Sequence, residues 1–372
     1  MAEKLESVVK LMENIAPSYL AENWDNVGLQ IGNAHKDIHR ILVALEVTEA
    51  IIDEAISKNV DMIVCHHPLI FKPLKKIRID DPIGNMVYRL IKNDITLFCA
   101  HTNLDIAHGG TNDVLAQILN IMDTKPLRVM NQEKYFKLVV YVPRTHVENV
   151  RDAICRAGAG HIGNYSHCTF QTEGKGTFKP LEGTNPFIGT KGEIEKVAEC
   201  RLESIVPKEK LNGVIKKMVE VHPYEEVAYD LFTLKNDIHS YGLGRVGNLI
   251  KPIKLSAFCQ EIKSKLAMNV IRIIGDTQKS IQRVGLCTGS GAEFIYDAYK
   301  LGCDCYITGD VKYHDAQYAA SLGIAVIDAG HFETEHLVCR PLFEKLKELI
   351  MEKNYHMEVF LASNNMNPFQ TI

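Results

Sequence analysis

Asp61-Met62-Ile63-Val64-Cys65-His66-His67-Pro68 decides the fold. A short apolar run with no polar alternation ends abruptly in two histidines and a proline, which reads as a strand buried on both faces. Two further runs behave alike. Ile95-Thr96-Leu97-Phe98-Cys99 leads to His101-Thr102-Asn103-Leu104-Asp105, and Ile324-Ala325-Val326-Ile327 leads to His331-Phe332-Glu333-Thr334-Glu335. Each of these turns sets an imidazole and a carboxylate four residues apart. In an open, mostly parallel sheet the carboxyl ends of the strands face one crevice, so the three turns converge. A single His at a strand end is usually a capping or hydrogen-bonding residue, and His66-His67 alone is also a polar turn closed by Pro68. Three together point to a nitrogen/oxygen metal site with donors for two ions.

Outward from these runs the chain alternates strand and helix. Ile41–Leu45 is a strand and Ala50–Ile56 a helix; Asp61–Cys65 precedes a helix through Met86–Ile91, and Ile95–Cys99 one from Asn112 to Leu119. The last third repeats the order: strands at Val284–Cys287, Cys305–Thr308 and Ile324–Ile327, helices at Phe294–Tyr299, Ala316–Ala320 and Glu335–Met351. Such βα runs predict parallel sheets flanked by helices. Adding 230 to His101 and Asp105 gives His331 and Glu335, so two similar halves form the expected α/β domain, residues 1–130 plus 236–372. Residues 131–235 differ in character. Tyr135–Pro143, Tyr165–Phe170, Ala198–Val206 and Val227–Thr233 read as strands, Val147–Ala157 and Glu209–Val221 as helices, and Gly174–Gly192 as a long loop or hairpin. That order predicts a ferredoxin-like α+β insert, in which His222-Pro223-Tyr224-Glu225-Glu226 is a helix-to-strand turn rather than a ligand set.

The 372 residues are 46% hydrophobic and 24% charged, ordinary for a soluble globular protein. A formal net charge of -4 gives no global reason for a nucleic-acid or anionic-membrane partner. No signal-peptide core and no bilayer-length apolar stretch occurs. The ten cysteines are scattered without a Cys-x-x-Cys, which fits reduced, buried thiols and a cytoplasmic location.

Five motifs in order then carry a resemblance: Trp24-Asp25-Asn26-Val27-Gly28-Leu29-Gln30-Ile31-Gly32, Cys65-His66-His67-Pro68-Leu69-Ile70-Phe71, His101–Asp105, Ile307-Thr308-Gly309-Asp310 and Gly330–Glu335. They resemble the Nif-three-like family, whose bacterial members are commonly labelled GTP cyclohydrolase 1 type 2 homologs. The middle segment resembles the PII/CutA-like insert of its longer members. The resemblance implies a toroidal homohexamer with a dinuclear metal centre. Its ligands would be His66, His67, Asp105, His331 and Glu335, with one or both carboxylates bridging. His101 either ligates or orients Asp105. Asp310 and His314 lie in or beside a matching motif as proton-transfer candidates. Imidazole and carboxylate donors suit zinc, iron(II) or manganese. Thr288-Gly289-Ser290-Gly291, after a strand, has the form of a phosphate turn. The functions expected are a metal-dependent hydrolase acting on a small phosphorylated or nucleotide-like substrate or, alternatively, a metal-binding regulator or metal chaperone.

Overall fold

The computed structural model describes residues 3–132, 134–236 and 240–370. The chain divides into two compact units, residues 1–131 with 241–372, and residues 132–240.

In the first unit a five-stranded sheet has the order Glu358–Leu361, Arg40–Ala44, Met62–Cys65, Thr96–Cys99, Gly28–Ile31. The first four strands are parallel and the last is antiparallel. Its apolar runs are continuous because both faces are covered, and successive side chains point to opposite sides. Ile41, Val43, Val64 and Phe98 pack on the helices Leu5–Ile15 and Cys339–Glu352. Leu42, Ala44, Ile63, Leu97 and Cys99 pack on Glu49–Ser57 and Pro82–Lys92. Thr48 caps the former helix and Asp81 the latter, each side chain accepting from a first-turn N–H.

A six-stranded sheet follows, in the order Arg272–Ile274, Ala325–Asp328, Cys305–Gly309, Ser280–Ser290, Ser240–Lys254, Met122–Gln132. Its three central strands are parallel, but Arg272–Ile274 and Ser240–Lys254 pair antiparallel to them. The expectation of mostly parallel sheets therefore fails here. Of the two long strands bordering the insert, Ser240–Lys254 was hidden because its glycines weaken a strand signal, and Met122–Gln132 because Pro126 interrupts it. Gly242 and Gly247 serve the close approach of the neighbouring strand: a Cβ would stand 2.1 Å from the Arg128 carbonyl and 2.4 Å from that of Met122.

In the second unit an antiparallel sheet has the order Tyr229–Thr233, Tyr135–Pro143, Glu195–Pro207, Thr169–Phe178. Two helices, Val147–Arg156 and Lys208–Val221, share its core of Val140, Val142, Ile154, Leu202, Val214 and Met218. The strand expected at 165–170 begins at Thr169 and runs to Phe178, so the glycine-rich stretch is partly strand. No helix among the described residues is long and apolar enough to cross a membrane.

Candidate metal centre

The ligand candidates are placed by the parallel strands. His66 and His67 follow Met62–Cys65, and both backbone N–H groups donate to the Leu45 carbonyl, at 2.9 and 2.8 Å. His66 is fully buried. Its Nδ1 lies 2.9 Å from the Ala100 carbonyl and donates to it, which turns Nε2 inward. That Nε2 is buried without a hydrogen-bond partner among the described residues. It stands 3.6 Å from Asp105 Oδ1 and 3.9 Å from Glu335 Oε1, close enough for charge and too far for a hydrogen bond.

The two His-x-x-x-carboxylate units are short helices, not turns. Asp105 lies in Thr102–Ile106, with His101 as the residue before it, and His331 and Glu335 are the ends of His331–Glu335. One helical turn puts positions i and i+4 on the same face, and His331 Nε2 donates to Glu335 Oε2 at 2.9 Å. The long helix expected from Glu335 to Met351 is broken accordingly, with a 3-10 turn at His336–Val338 before Cys339–Glu352. His67 Nε2 donates to the same Glu335 oxygen at 2.8 Å.

Three overlapping donor groups result, each with its donor atoms within 4.8 Å of one another: His66, His67, His101; His67, His331, Glu335; and His66, Asp105, Glu335. Glu335 belongs to two of them.

The electrostatics favour positive charge in this space. Burial works against ionising Glu335, but hydrogen bonds from His331 and His67 and the nearby charge of His66 hold its pKa well below the usual carboxylate range. Burial raises the pKa of Asp105, and the Glu335 charge adds to that effect while His66 opposes it. Burial opposes protonation of His67, yet Glu335 and Glu46 together lift its pKa to about 10. His331 is raised to about 9, chiefly by its hydrogen bond to Glu335.

A supporting shell aims the ligands. Asp25 accepts from His101 Nδ1 at 2.9 Å and from the Thr102 backbone N–H at 3.0 Å and hydroxyl at 2.6 Å. The orienting partner of His101 is thus Asp25, while Asp105 takes its hydrogen bond from the Thr111 hydroxyl at 2.5 Å. Asp310 Oδ2 accepts from His331 Nδ1 at 2.7 Å, so it orients one of the candidate donors. His314 is not brought to the cluster: it is exposed on the helix Tyr313–Leu322, its ring against Tyr313.

The phosphate-turn reading of Thr288–Gly291 is corrected as well. The Gly289 N–H donates to Thr334 Oγ1 at 3.0 Å and the Gly291 N–H to Thr308 Oγ1 at 2.9 Å, leaving neither for an anion. Gly289, at φ +63°, instead makes room for Glu335, whose Oε1 would lie 2.0 Å from a Cβ there.

A cleft of about 890 Å³ is lined by His67, Glu46, Asp310, His331, Arg272 and Asn367, among others. Glu46, Thr111 and Arg272 were missed from sequence. Only Glu46 carried a readable signal, since it follows an inner parallel strand as His66 does.

The family model described as Duf34/NIF3 (NGG1p interacting factor 3) matches residues 3–368. The chain belongs to the Duf34/NIF3 family. A relative of this NIF3-family chain in Halalkalibacterium halodurans is 43% identical over 367 residues, covering 99% of the chain and 98% of the relative. One in Bacillus subtilis is 43% identical, covering 98% and 97%. Both are named GTP cyclohydrolase 1 type 2 homolog. Among solved structures, a Bacillus cereus protein related to NIF3 is similar over the full length of both chains, at 40% identity and a TM-score of 0.90. The NIF3 assignment covers all five motifs quoted above. The ten cysteines of this NIF3 chain are all free thiols, nine of them buried.

Proposed function

We propose that the chain holds two divalent metal ions and uses them as a hydrolase acting on a small phosphorylated or nucleotide-like substrate. One observation carries the reading: His66 Nε2, fully buried and without a hydrogen-bond partner among the described residues, faces two carboxylates inside overlapping donor groups. A buried polar atom without a partner costs about 1–3 kcal/mol, and a ligand removes that cost. The set of imidazole and carboxylate donors fits zinc, iron(II) or manganese.

In this reading His66, His67, Asp105, His331 and Glu335 would hold the ions, with Glu335 the carboxylate common to two of the donor groups. His101, aimed by Asp25, is the sixth donor. Two such ions, when bound, lower the pKa of a shared water and polarise a phosphoryl oxygen. The protein's own part is orientation: Asp25 and Asp310 fix the rings of His101 and His331, and Asp310 is also the carboxylate placed to take up a proton at the cleft. Arg272, whose Nη2 pairs with Asp328 and donates to the Val311 carbonyl at 3.1 Å, is the guanidinium at the cleft for a substrate anion, and the cleft volume suits a nucleotide-sized ligand.

We further read unit 132–240 as ferredoxin-like, the α/β unit as two related halves, and the assembly as a closed homohexamer in the cytoplasm. The exposed apolar side chains of Trp24, Phe71, Ile77 and Ile79 support an assembly that covers them.

Turnover tests the enzymatic reading. Metal-replete protein should hydrolyse at least one member of a phosphoester and nucleotide panel, and His331→Ala should not. A metal-binding regulator would show full metal occupancy and no turnover.

A further inference from the structure

The second unit contains a cavity of about 430 Å³ that the metal centre does not use. Its walls come from four separate pieces of chain: Tyr141 on the strand Tyr135–Pro143, Phe178 and Phe187 at and beyond the end of Thr169–Phe178, Glu199 on the strand Glu195–Pro207, and Tyr224 in the turn after the helix Lys208–Val221. Tyr224 is the centre of this aromatic group, 5.6 Å from Phe178 and 6.4 Å from Phe187 between ring centroids. Phe187 is 53% exposed, its ring edge-on to that of His146 at 5.4 Å between centroids.

The lining is also one-sidedly acidic. Glu199, Glu225 and Glu226 stand around the rings against the single basic residue Lys179. Glu199 Oε1 accepts from the Tyr224 hydroxyl at 2.9 Å, and Glu225 Oε2 from the Asn185 backbone N–H at 2.9 Å. Glu226 makes no such bond among the described residues. None of the three carboxylates is in an ion pair among the described residues.

The cage is held from behind. His222, 8% exposed, places Nε2 3.1 Å from the Tyr141 carbonyl and takes the Tyr224 backbone N–H at Nδ1, also at 3.1 Å. Burial lowers its pKa, so it adds no positive charge behind the rings. One neutral imidazole thus fixes two of the four aromatic walls. His222-Pro223-Tyr224-Glu225-Glu226 is a turn, as its sequence indicates, and also the wall of a preformed pocket.

Aromatic faces attract cations through their quadrupole, most strongly where water is partly excluded, and nearby carboxylates add to that attraction. We propose that this pocket is a second binding site, separate from the metal centre, that takes a small organic cation with an apolar body: a protonated or quaternary amine of the size of one aromatic ring.

Benzyltrimethylammonium is a suitable probe, with benzyl alcohol and benzoate as neutral and anionic ligands of similar shape. Titrated into the full-length protein and followed by ligand-observed NMR, the cation should saturate in the millimolar range or below. Benzyl alcohol and benzoate should bind at least tenfold more weakly. Phe187→Ala and Glu226→Gln, both at exposed positions, should each weaken the cation at least threefold without changing the thermal melt or the metal content. Binding should persist after chelation, which separates this site from the metal centre. Equal binding of all three probes, or cation binding untouched by both substitutions, would overturn the proposal, as would no saturation by the cation.

Discussion

Arg245→Met should be among the most damaging single changes outside the ligand set. Arg245 lies on the strand Ser240–Lys254, is 2% exposed, and pairs bidentately with Asp113, with Nη2 to Oδ2 at 2.9 Å. It also donates to the Gly242 and Gly244 carbonyls at 2.8 Å each, and to Ala107 at 3.3 Å. Those contacts tie the segment carrying His101 and Asp105 to the six-stranded sheet. Methionine fills much of the volume but leaves a carboxylate and three carbonyls without their donor. Removing one partner of a buried ion pair costs about 3–5 kcal/mol. Asp113 keeps 24% side-chain exposure and a 2.7 Å bond from the Gly109 N–H, so about 3 kcal/mol is expected. That corresponds to a fall of about 6–12 °C in the melting temperature of a domain this size. Urea unfolding of chelated protein is the assay, followed by the fluorescence of Trp24, the single tryptophan, which lies in this unit.

The pH dependence has a definite sign. Burial acts to raise the Asp113 pKa, but Arg245 outweighs it and the folded-state value is depressed. The pair's stabilisation is then fully present above the unfolded-state pKa near 3.9 and is lost as pH falls through the lower folded value. The wild-type advantage over Arg245→Met should persist from pH 7 down to about pH 5 and shrink below about pH 4. Asp113→Leu combined with Arg245→Met should recover much of the loss, because no buried charge is stranded. A loss below about 1 kcal/mol at pH 7 would refute the reasoning, since that is the scale of an exposed pair.

Three further outcomes are expected. Gly289→Ala should weaken metal binding at least tenfold by isothermal titration, since a Cβ there meets Glu335 Oε1 at 2.0 Å and the φ of +63° disfavours a side chain; unchanged affinity would mean that Glu335 does not ligate. Asp25→Asn should lower metal affinity by about 10–100-fold while leaving the circular dichroism spectrum intact, because it removes the charged partner that aims His101. Replacing residues 132–240 with a short Gly/Ser linker should leave a soluble protein with wild-type metal content, as every donor lies in the other unit; loss of metal from a folded deletion product would show that the insert shapes the site.

The histidines at the strand ends were legible in sequence because a doubly covered parallel strand is an uninterrupted apolar run, and the residue after it must face the crevice. His66, His67, Asp105, His331 and Glu335 came together for that reason. The strand Ser240–Lys254 was not legible, since its glycines answer to a neighbouring backbone rather than to strand propensity, and Met122–Gln132 was masked by Pro126, which cannot donate to a ladder. The supporting hydrogen bonds were hidden too. Thr111, Thr334 and Gly289 act across sequence separations that no local pattern encodes; the Thr288 hydroxyl, for example, bonds that of Thr111 at 3.0 Å. His314 failed because its place in a motif says nothing about which way its helix faces. Asp310 stands at the cleft, and its bond to His331 shows a positioning task that its sequence neighbourhood did not reveal.

The central claim is a site for two ions built around Glu335. Elemental analysis of protein purified without chelator and then supplemented with zinc, iron(II) or manganese, reported as metal per chain, tests it most directly. A value of two is expected, falling to zero in the His66→Ala, His331→Ala double variant with the fold intact. A value that stays at zero in the supplemented wild-type protein would contradict it.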